Sequence, residues 1–470
     1  MTDRSTPKIL VVDPVGLALG ADGQPDTAAV RAHVAARGGH FHDGSARGRD
    51  DLAPGCAHFF YLPHLSTAED LRAEAGDGLY DAVIAAATFL PADLPFPMGG
   101  VRIGAGTGNM GCTVWGGGDG TGGSAPLMNT PGINAVATAQ MVFKALLAVR
   151  PDLPVALLHE LVAEGAFDTG RDLARFPTAG LQGRCLAVIG YGSIGREVAK
   201  LGRAFGMRVR VHARPRHRDW IEAEGFEHAE TPLAAATGAD VLSVHVGLGP
   251  KTAAGFANAG LIGDEVLSAL APGAVLINYD RGELVDTDAL AAALDSGRLG
   301  HAAIDADLFR DAATGALSGP MLPYLPLAAR FGDRLSLLPH AAADTDHPTR
   351  VAGACQAVDQ ILDAIREGRV RNAKGEVPAG WTAAGGSRPR GVGGIDAGLL
   401  AALAADPQRL AALQAATATL SEELARLAAP PREGDGAAID PADGARLALA
   451  ANRLRSGLDA AGLAGPWLGA

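Results

Sequence analysis

The residues whose type and spacing most directly suggest chemistry are Gly190, Gly192 and Gly195, in the run Gly190-Tyr191-Gly192-Ser193-Ile194-Gly195. The chemistry would be phosphate binding. In a G-x-G-x-x-G run the first glycine permits a tight turn. The second lets a pyrophosphate approach the backbone, and the third lets a helix pack on the preceding strand. A helix starting at Ser193 and Ile194 would offer free N–H groups and the positive end of its dipole. Such a run is weak alone in a chain with 63 glycines among 470 residues. Its context strengthens it. Leu186–Ile189 is an apolar run short enough for a buried strand, Val198, Leu201 and Phe205 fall on one helical face stopped by Gly206, and Val209–Val211 reads as a second strand. A βαβ unit of this length fits a dinucleotide.

The tip of that second strand bears on the cofactor. An acidic residue there would bind a ribose 2′-hydroxyl. The sequence instead reads Ala213-Arg214-Pro215-Arg216-His217-Arg218, with no carboxylate before Asp219. Arg214 and Arg216 could supply charge-assisted donors to a 2′-phosphate. NADP(H) is therefore favoured, with NAD(H) as the other possibility.

The elements that must hold these residues are legible along the chain. Lys8–Asp13, His58–Tyr61, Tyr80–Ala87 and Val101–Ile103 read as strands, with a helix over 26–37. Strands alternating with helices predict a parallel α/β unit. Residues 104–124 are glycine-dense and read as a binding loop, followed by a helix over Ala135 to Val149. Beyond the glycine motif, strands are expected at 240–246, 274–278, 299–305 and 335–338, with helices over 252–271, 286–297 and 351–367. Residues 373–394 read as a linker. After it, Asp406-Pro407 and Asp440-Pro441 place an acid before proline, a helix-start signal. Two or three Ala- and Leu-rich helices follow, and such a hairpin should dock on the body or on a second subunit.

Composition sets outer limits. With 48% apolar and 20% charged residues the chain reads as a soluble globular protein. A net charge of −12 argues against nucleic acid as a main partner. Cys56, Cys112, Cys185 and Cys355 are far apart, suggesting neither a metal site nor a disulfide framework and fitting a reducing cytoplasm. No apolar run is long enough to span a bilayer, and the polar start lacks a signal-peptide core.

Several further motifs follow in order: Gly106-Thr107-Gly108-Asn109, Asn129-Thr130-Pro131 with Asn134, Val244-His245-Val246, Asn278-Tyr279-Asp280-Arg281-Gly282 with Val285-Asp286, Ala303-Ile304-Asp305, and Leu338-Pro339-His340. With the glycine motif among them, the chain resembles the D-isomer-specific 2-hydroxyacid dehydrogenases over about residues 8–372. The resemblance implies an α/β fold in which a Rossmann-type nucleotide-binding domain is inserted in a flavodoxin-like substrate domain. The expected boundaries are 1–133 for the first part of the substrate domain, 134–345 for the dinucleotide-binding domain and 346–376 for the return segment. A linker over 377–393 and a helical extension over 394–470 complete the chain.

The implied reaction is hydride transfer between a nicotinamide and the carbon beside a carboxylate, on a small 2-oxo or 2-hydroxy acid. Arg281 would hold the carboxylate through paired hydrogen bonds. Thr107, Gly108 and Asn109 would add donors from a glycine-loop nest. His340 would give or take the hydroxyl proton. Asp305 would bind the nicotinamide carboxamide, and Val246, Gly247, Thr252 and Tyr279 would join the cofactor set. The family pairs its histidine with a glutamate, but Arg310 stands at that position. Asp307, Asp311 and Asp344 stay open as substitutes, with Asp307 as the working assignment. Gln140 and Gly247 also depart from the family pattern, which suggests a divergent branch. The turn at Ala85–Phe89 carries no cation, which argues against 3-phosphoglycerate. A cytoplasmic homodimer is expected. The alternative is a catalytically weak nucleotide-sensing or scaffold protein on the same fold.

Overall fold

The computed structural model describes residues 6–20, 23–104, 106–112, 114–116, 123–149, 154–178, 180–249, 251–253, 255–310, 314–340, 346–384, 403–428 and 441–460. Two parallel sheets carry the architecture. The first contains β1 (Lys8–Val11), β2 (Gly39–Asp43), β3 (Ala57–Tyr61), β4 (Ala82–Ala85), β5 (Gly100–Arg102) and β6 (Leu127–Asn129), in the order β2-β3-β1-β4-β5-β6. The second contains β7 (Cys185–Ile189), β8 (Arg208–His212), β9 (Glu227–Ala229) and β10 (Val241–Val244). After the short antiparallel hairpin of β11 (Lys251–Thr252) and β12 (Gly255–Phe256), it continues with β13 (Ala274–Asn278) and β14 (Leu299–Ala306). A second small hairpin, β15 (Phe309–Arg310) and β16 (Leu317–Ser318), precedes its last strand, β17 (Leu335–Pro339). Its order is β17-β14-β13-β10-β7-β8-β9. That is the Rossmann order with one added edge strand, and the fold is α/β as expected.

The inner strands read as nearly unbroken apolar runs because helices cover both faces of a parallel sheet. Every residue of β3, β4, β7, β10 and β13 is buried. One core of the first sheet includes Ile9, Val11, Phe59 and Ile84, and against it pack Ala354, Ala357, Val358, Ile361 and Leu362 of the helix His347–Glu367. In the second sheet, Val188, Val198 and Val211 share a core with Ala139, Val142, Phe143 and Leu146 of the helix Ala135–Val149. The chain thus enters the second core with the helix at Ala135 and rejoins the first with the helix at His347.

Several elements differ from the sequence reading. Residues 252–271 are not one helix: the hairpin of β11 and β12 comes first, and only Asp264–Ser268 is helical. Glycines at 255, 260 and 263 break that segment, and Gly255 (φ 117°) and Gly260 (φ 67°) are left-handed. The strand β2 and the helix Ala68–Ala75 were not anticipated, because polar and histidine residues mask their apolar periodicity. Near the C-terminal end, the helices Pro407–Ala428 and Pro441–Ala460 pack chiefly on each other, burying Leu403 and Leu413 with Leu410, Leu454 and Leu458 against them. Among the described residues no helix is long and apolar enough to cross a membrane.

Candidate active site

The glycine motif sits where the strand order of the second sheet reverses, between β7 and β10, at the C-terminal ends of the strands. Its three glycines meet three different environments. Gly190 has φ 103°, and a Cβ there would run into the His245 carbonyl and, at 2.7 Å, Val246. A Cβ at Gly195 would collide with the Gly190 carbonyl oxygen, so the helix Ser193–Ala204 can close on β7 only with glycine. Gly192 precedes this helix in extended conformation, and a Cβ there would meet nothing within 4 Å. Tight packing at two positions and open space at the middle one form a cradle that fits a pyrophosphate. His245 is fully enclosed, its Nε2 2.7 Å from Ser243 Oγ, and burial pushes its pKa down to about 3, so it is a neutral scaffold for this turn.

At the tip of β8, Arg214 and Arg216 are exposed, while Arg218 is engaged by Glu222 and Glu230. Arg216 Nε lies 3.4 Å from His217 Nε2. Neither Arg214 nor Arg216 has an acidic partner among the described residues.

A cleft of about 540 Å³ runs from this cradle between the two domains. Ile194, Gly247, Phe256 and Tyr279 line it from the nucleotide side, and Thr107 and Gly108 from the first domain. At its centre stand Arg281 and His340, which are brought together from sequence-distant strand ends. Arg281 follows β13, and Asn278 Nδ2 donates to its carbonyl oxygen at 2.8 Å, shaping the turn. Arg281 Nη1 donates to the Asp280 carbonyl at 2.6 Å and to His340 Nε2 at 2.7 Å. A guanidinium only donates, so Nε2 accepts and the ring proton lies on Nδ1. That proton goes to Asp305 Oδ1 at 2.8 Å.

The carboxylate on the histidine is therefore Asp305 and not Asp307. β14 and β17 are parallel neighbours with Asp305 opposite Leu338, so both side chains leave the sheet at the same end. Asp307 lies past the strand end and makes no hydrogen bond to His340, both of whose ring nitrogens are engaged. Asp311 and Asp344 lie outside the described residues. Asp305 is buried, which pushes its pKa up, with the His340 hydrogen bond acting the other way. Burial also pushes Asp280 up to about 6 against the opposing charges of Arg281 and His340.

Asn109 is also placed differently from the sequence expectation. It is buried, and its Nδ2 donates to the carbonyls of Ala86 (3.2 Å) and Thr88 (2.8 Å), tying the glycine loop to the end of β4. It does not line the cleft. Val246 packs against the glycine turn, and the Thr252 side chain lies outside the described residues. Two cleft cations were missed by sequence reasoning, Arg102 at the end of β5 and Lys374 beyond the long helix. Nothing in their local sequence marks them, because they meet only through the pairing of distant segments.

A dinucleotide cradle at a Rossmann switch point, opening on an Arg–His–Asp constellation, defines a nicotinamide-dependent oxidoreductase. Residues 154–326 match the family model described as "D-isomer specific 2-hydroxyacid dehydrogenase, NAD binding domain". The glyoxylate reductase of Aeropyrum pernix is 33% identical over 245 residues, covering 52% of this chain and 67% of that protein. The glyoxylate reductase of Thermococcus litoralis is 30% identical over 255 residues, covering 53% and 67%. A solved glyoxylate reductase from Paecilomyes thermophila superposes with a TM-score of 0.52 at 19% identity, over 78% of this chain and 98% of that one, and shows the shared fold. The chain belongs to the D-isomer-specific 2-hydroxyacid dehydrogenase family.

Proposed function

We propose that this protein reduces a small 2-oxo acid to the 2-hydroxy acid, with NADP(H) favoured over NAD(H). The observation that carries the reading is the chain of hydrogen bonds Arg281–His340–Asp305 on the cleft wall facing the glycine cradle. When bound, the nicotinamide supplies or accepts the hydride. The protein's own residues do the rest. Arg281 is placed to hold a substrate carboxylate by donating a two-pronged hydrogen bond to it, and charge there would polarise the adjacent carbonyl. Its Nη2 lies 2.7 Å from where a Cβ of Gly106 would stand, so the glycine loop leaves it room to approach substrate. His340 holds the transferable proton at Nε2 once protonated, and Asp305 on Nδ1 stabilises the imidazolium and fixes the ring. This partner answers the sequence-level motive for a catalytically weak protein, the missing glutamate.

The NADP(H) preference is supported by Arg214 and Arg216, exposed at the β8 tip with no acidic partner among the described residues. A homodimer is supported by the helix Val155–Ala163, none of whose residues is buried although Val155, Leu157 and Val162 are apolar.

The test is oxidation of NADPH and NADH with a panel of 2-oxo acids, repeated with Arg281→Ala and His340→Ala. Each variant should lose about 10²- to 10⁴-fold in kcat/KM. Unchanged rates in both would refute the assignment, and equal use of the two cofactors would refute the preference.

A further inference from the structure

Arg281 accounts for one anion in the cleft, but two more cations line the same space. Arg102 and Lys374 come from segments on the first sheet, whereas Arg281 and His340 follow strands of the second. Arg102 Nε donates to the Ala86 carbonyl at 2.9 Å, and its guanidinium lies where a Cβ of Gly104 would stand. Arg281 lies over Gly106 in the same way, two residues on. Consecutive Cα atoms are about 3.8 Å apart, so Gly104 and Gly106 are at most about 7.6 Å apart. The two guanidinium groups therefore flank one short glycine stretch from opposite domains.

Lys374 is held as firmly. Its backbone N–H donates to the Leu127 carbonyl at 2.8 Å, and Ala373 pairs with Met128 across an antiparallel bridge. Just before it, Asn372 adopts φ 52° and donates from Nδ2 to Gln360 Oε1 at 3.1 Å. Burial lowers the Lys374 pKa, followed by the charges of Arg281 and Arg102, and no acid is among the groups acting on it. The two acids lining the cleft, Asp280 and Asp305, lie with Arg281 and His340 instead. The neighbouring charges of Arg281 and Arg102 disfavour the Lys374 ammonium, and an anion entering the space would relieve this.

We propose that Arg102 and Lys374 form a second anion subsite facing Arg281 across the cleft, and that the preferred 2-oxo acid carries a second carboxylate or a phosphate at the end remote from its carbonyl. This rests on the reductase reading and names its substrate class. The turn after β4 has no cation, but the fold brings in cations from two other segments.

The experiment compares kcat/KM for 2-oxoglutarate, oxaloacetate, phosphohydroxypyruvate, pyruvate and glyoxylate with NADPH, in the wild type, Lys374→Met and Lys374→Glu. The wild type should favour at least one dianion over both monoanions by about 10-fold or more. Lys374→Met should cut that ratio by about 10- to 100-fold, mostly through KM, and Lys374→Glu further. Whether the phosphorylated acid or a diacid leads identifies the second group. A wild-type preference for monoanions, or a ratio unmoved by both substitutions, overturns the subsite. Absence of turnover on every acid would defeat the reductase reading instead. The subsite is then read by thermal shift in NADPH with D-malate against D-lactate: a larger shift by malate that is lost in Lys374→Met supports it, and equal shifts overturn it.

Discussion

The two parallel sheets each have a point where the strand order reverses, and the two points are finished in opposite ways. In the first sheet, β1 and β4 diverge around Asp13. Its carboxylate accepts from the backbone N–H groups of Ala86, Ala87 and Thr88 at 2.6, 3.1 and 3.2 Å and from Thr88 Oγ1 at 2.9 Å. In the second sheet, β7 and β10 diverge around Gly190, and the space beside Gly192 is open. Both points gather backbone donors. One closes them with its own carboxylate, and the other presents them to a phosphate. A switch point becomes a binding site when the chain withholds its own acceptor.

The largest expected effect lies on the open side. Asp305→Asn should keep the fold but lower kcat by about 10²- to 10⁴-fold, because an amide neither fixes the ring tautomer nor stabilises the imidazolium. The pH dependence of kcat should change with it, and a kcat within a few-fold of wild type would remove Asp305 from the site. On the closed side, Asp13→Ala leaves four donors without their acceptor, that of Ala86 buried and the other three partly so. It should cost about 2–4 kcal/mol in denaturant unfolding, and a loss under about 0.5 kcal/mol would mean the turn does not depend on it.

A smaller contrast sits within the glycine motif. Gly192→Ala should leave the melting temperature near wild type yet weaken NADPH binding by about 10-fold or more, since its methyl enters phosphate space. Gly195→Ala should instead lower the melting temperature, its methyl meeting the Gly190 carbonyl. Calorimetry on both, with titration of NADPH, separates the two roles.

The smallest effect concerns Asp280. Its pKa rises from 3.8 to about 6 on folding, so between those values the folded chain binds the extra proton. Stability should therefore fall as pH rises through that window, by about 1–3 kcal/mol at most. The stability gain of Asp280→Asn over wild type should grow between about pH 4 and about pH 7. A pH-independent difference would show that burial does not penalise this carboxylate.

The sequence was most readable where a local pattern and a chemical role coincide. Gly190, Gly192 and Gly195 declare both the turn and its purpose, and Arg281 and His340 each follow an apolar run that ends at the cleft. Asp305 was visible as a residue but not as the histidine's partner. That pairing depends on β14 and β17 being neighbours, which strand patterns alone do not reveal, although one strand was expected to end at Asp305 and the other two residues before His340. Asn109 sits in a glycine loop, and sequence cannot tell a donor aimed at substrate from one aimed at its own β4 turn. Arg102 and Lys374 stand at ordinary local positions, and only the bridge from Ala373 to Met128 brings the second into the cleft.

That bridge has a geometric consequence. It fixes Lys374 to the first-sheet body, while Arg281 is fixed to the second, and the chain passes between the bodies near Asn134 and before His347. The two jaws of a calliper are thus mounted on separate frames. An acid of the right span would meet both and bring its carbonyl to His340. A longer or shorter one would miss one of them, so chain length would be read by the gap between two separately mounted cations.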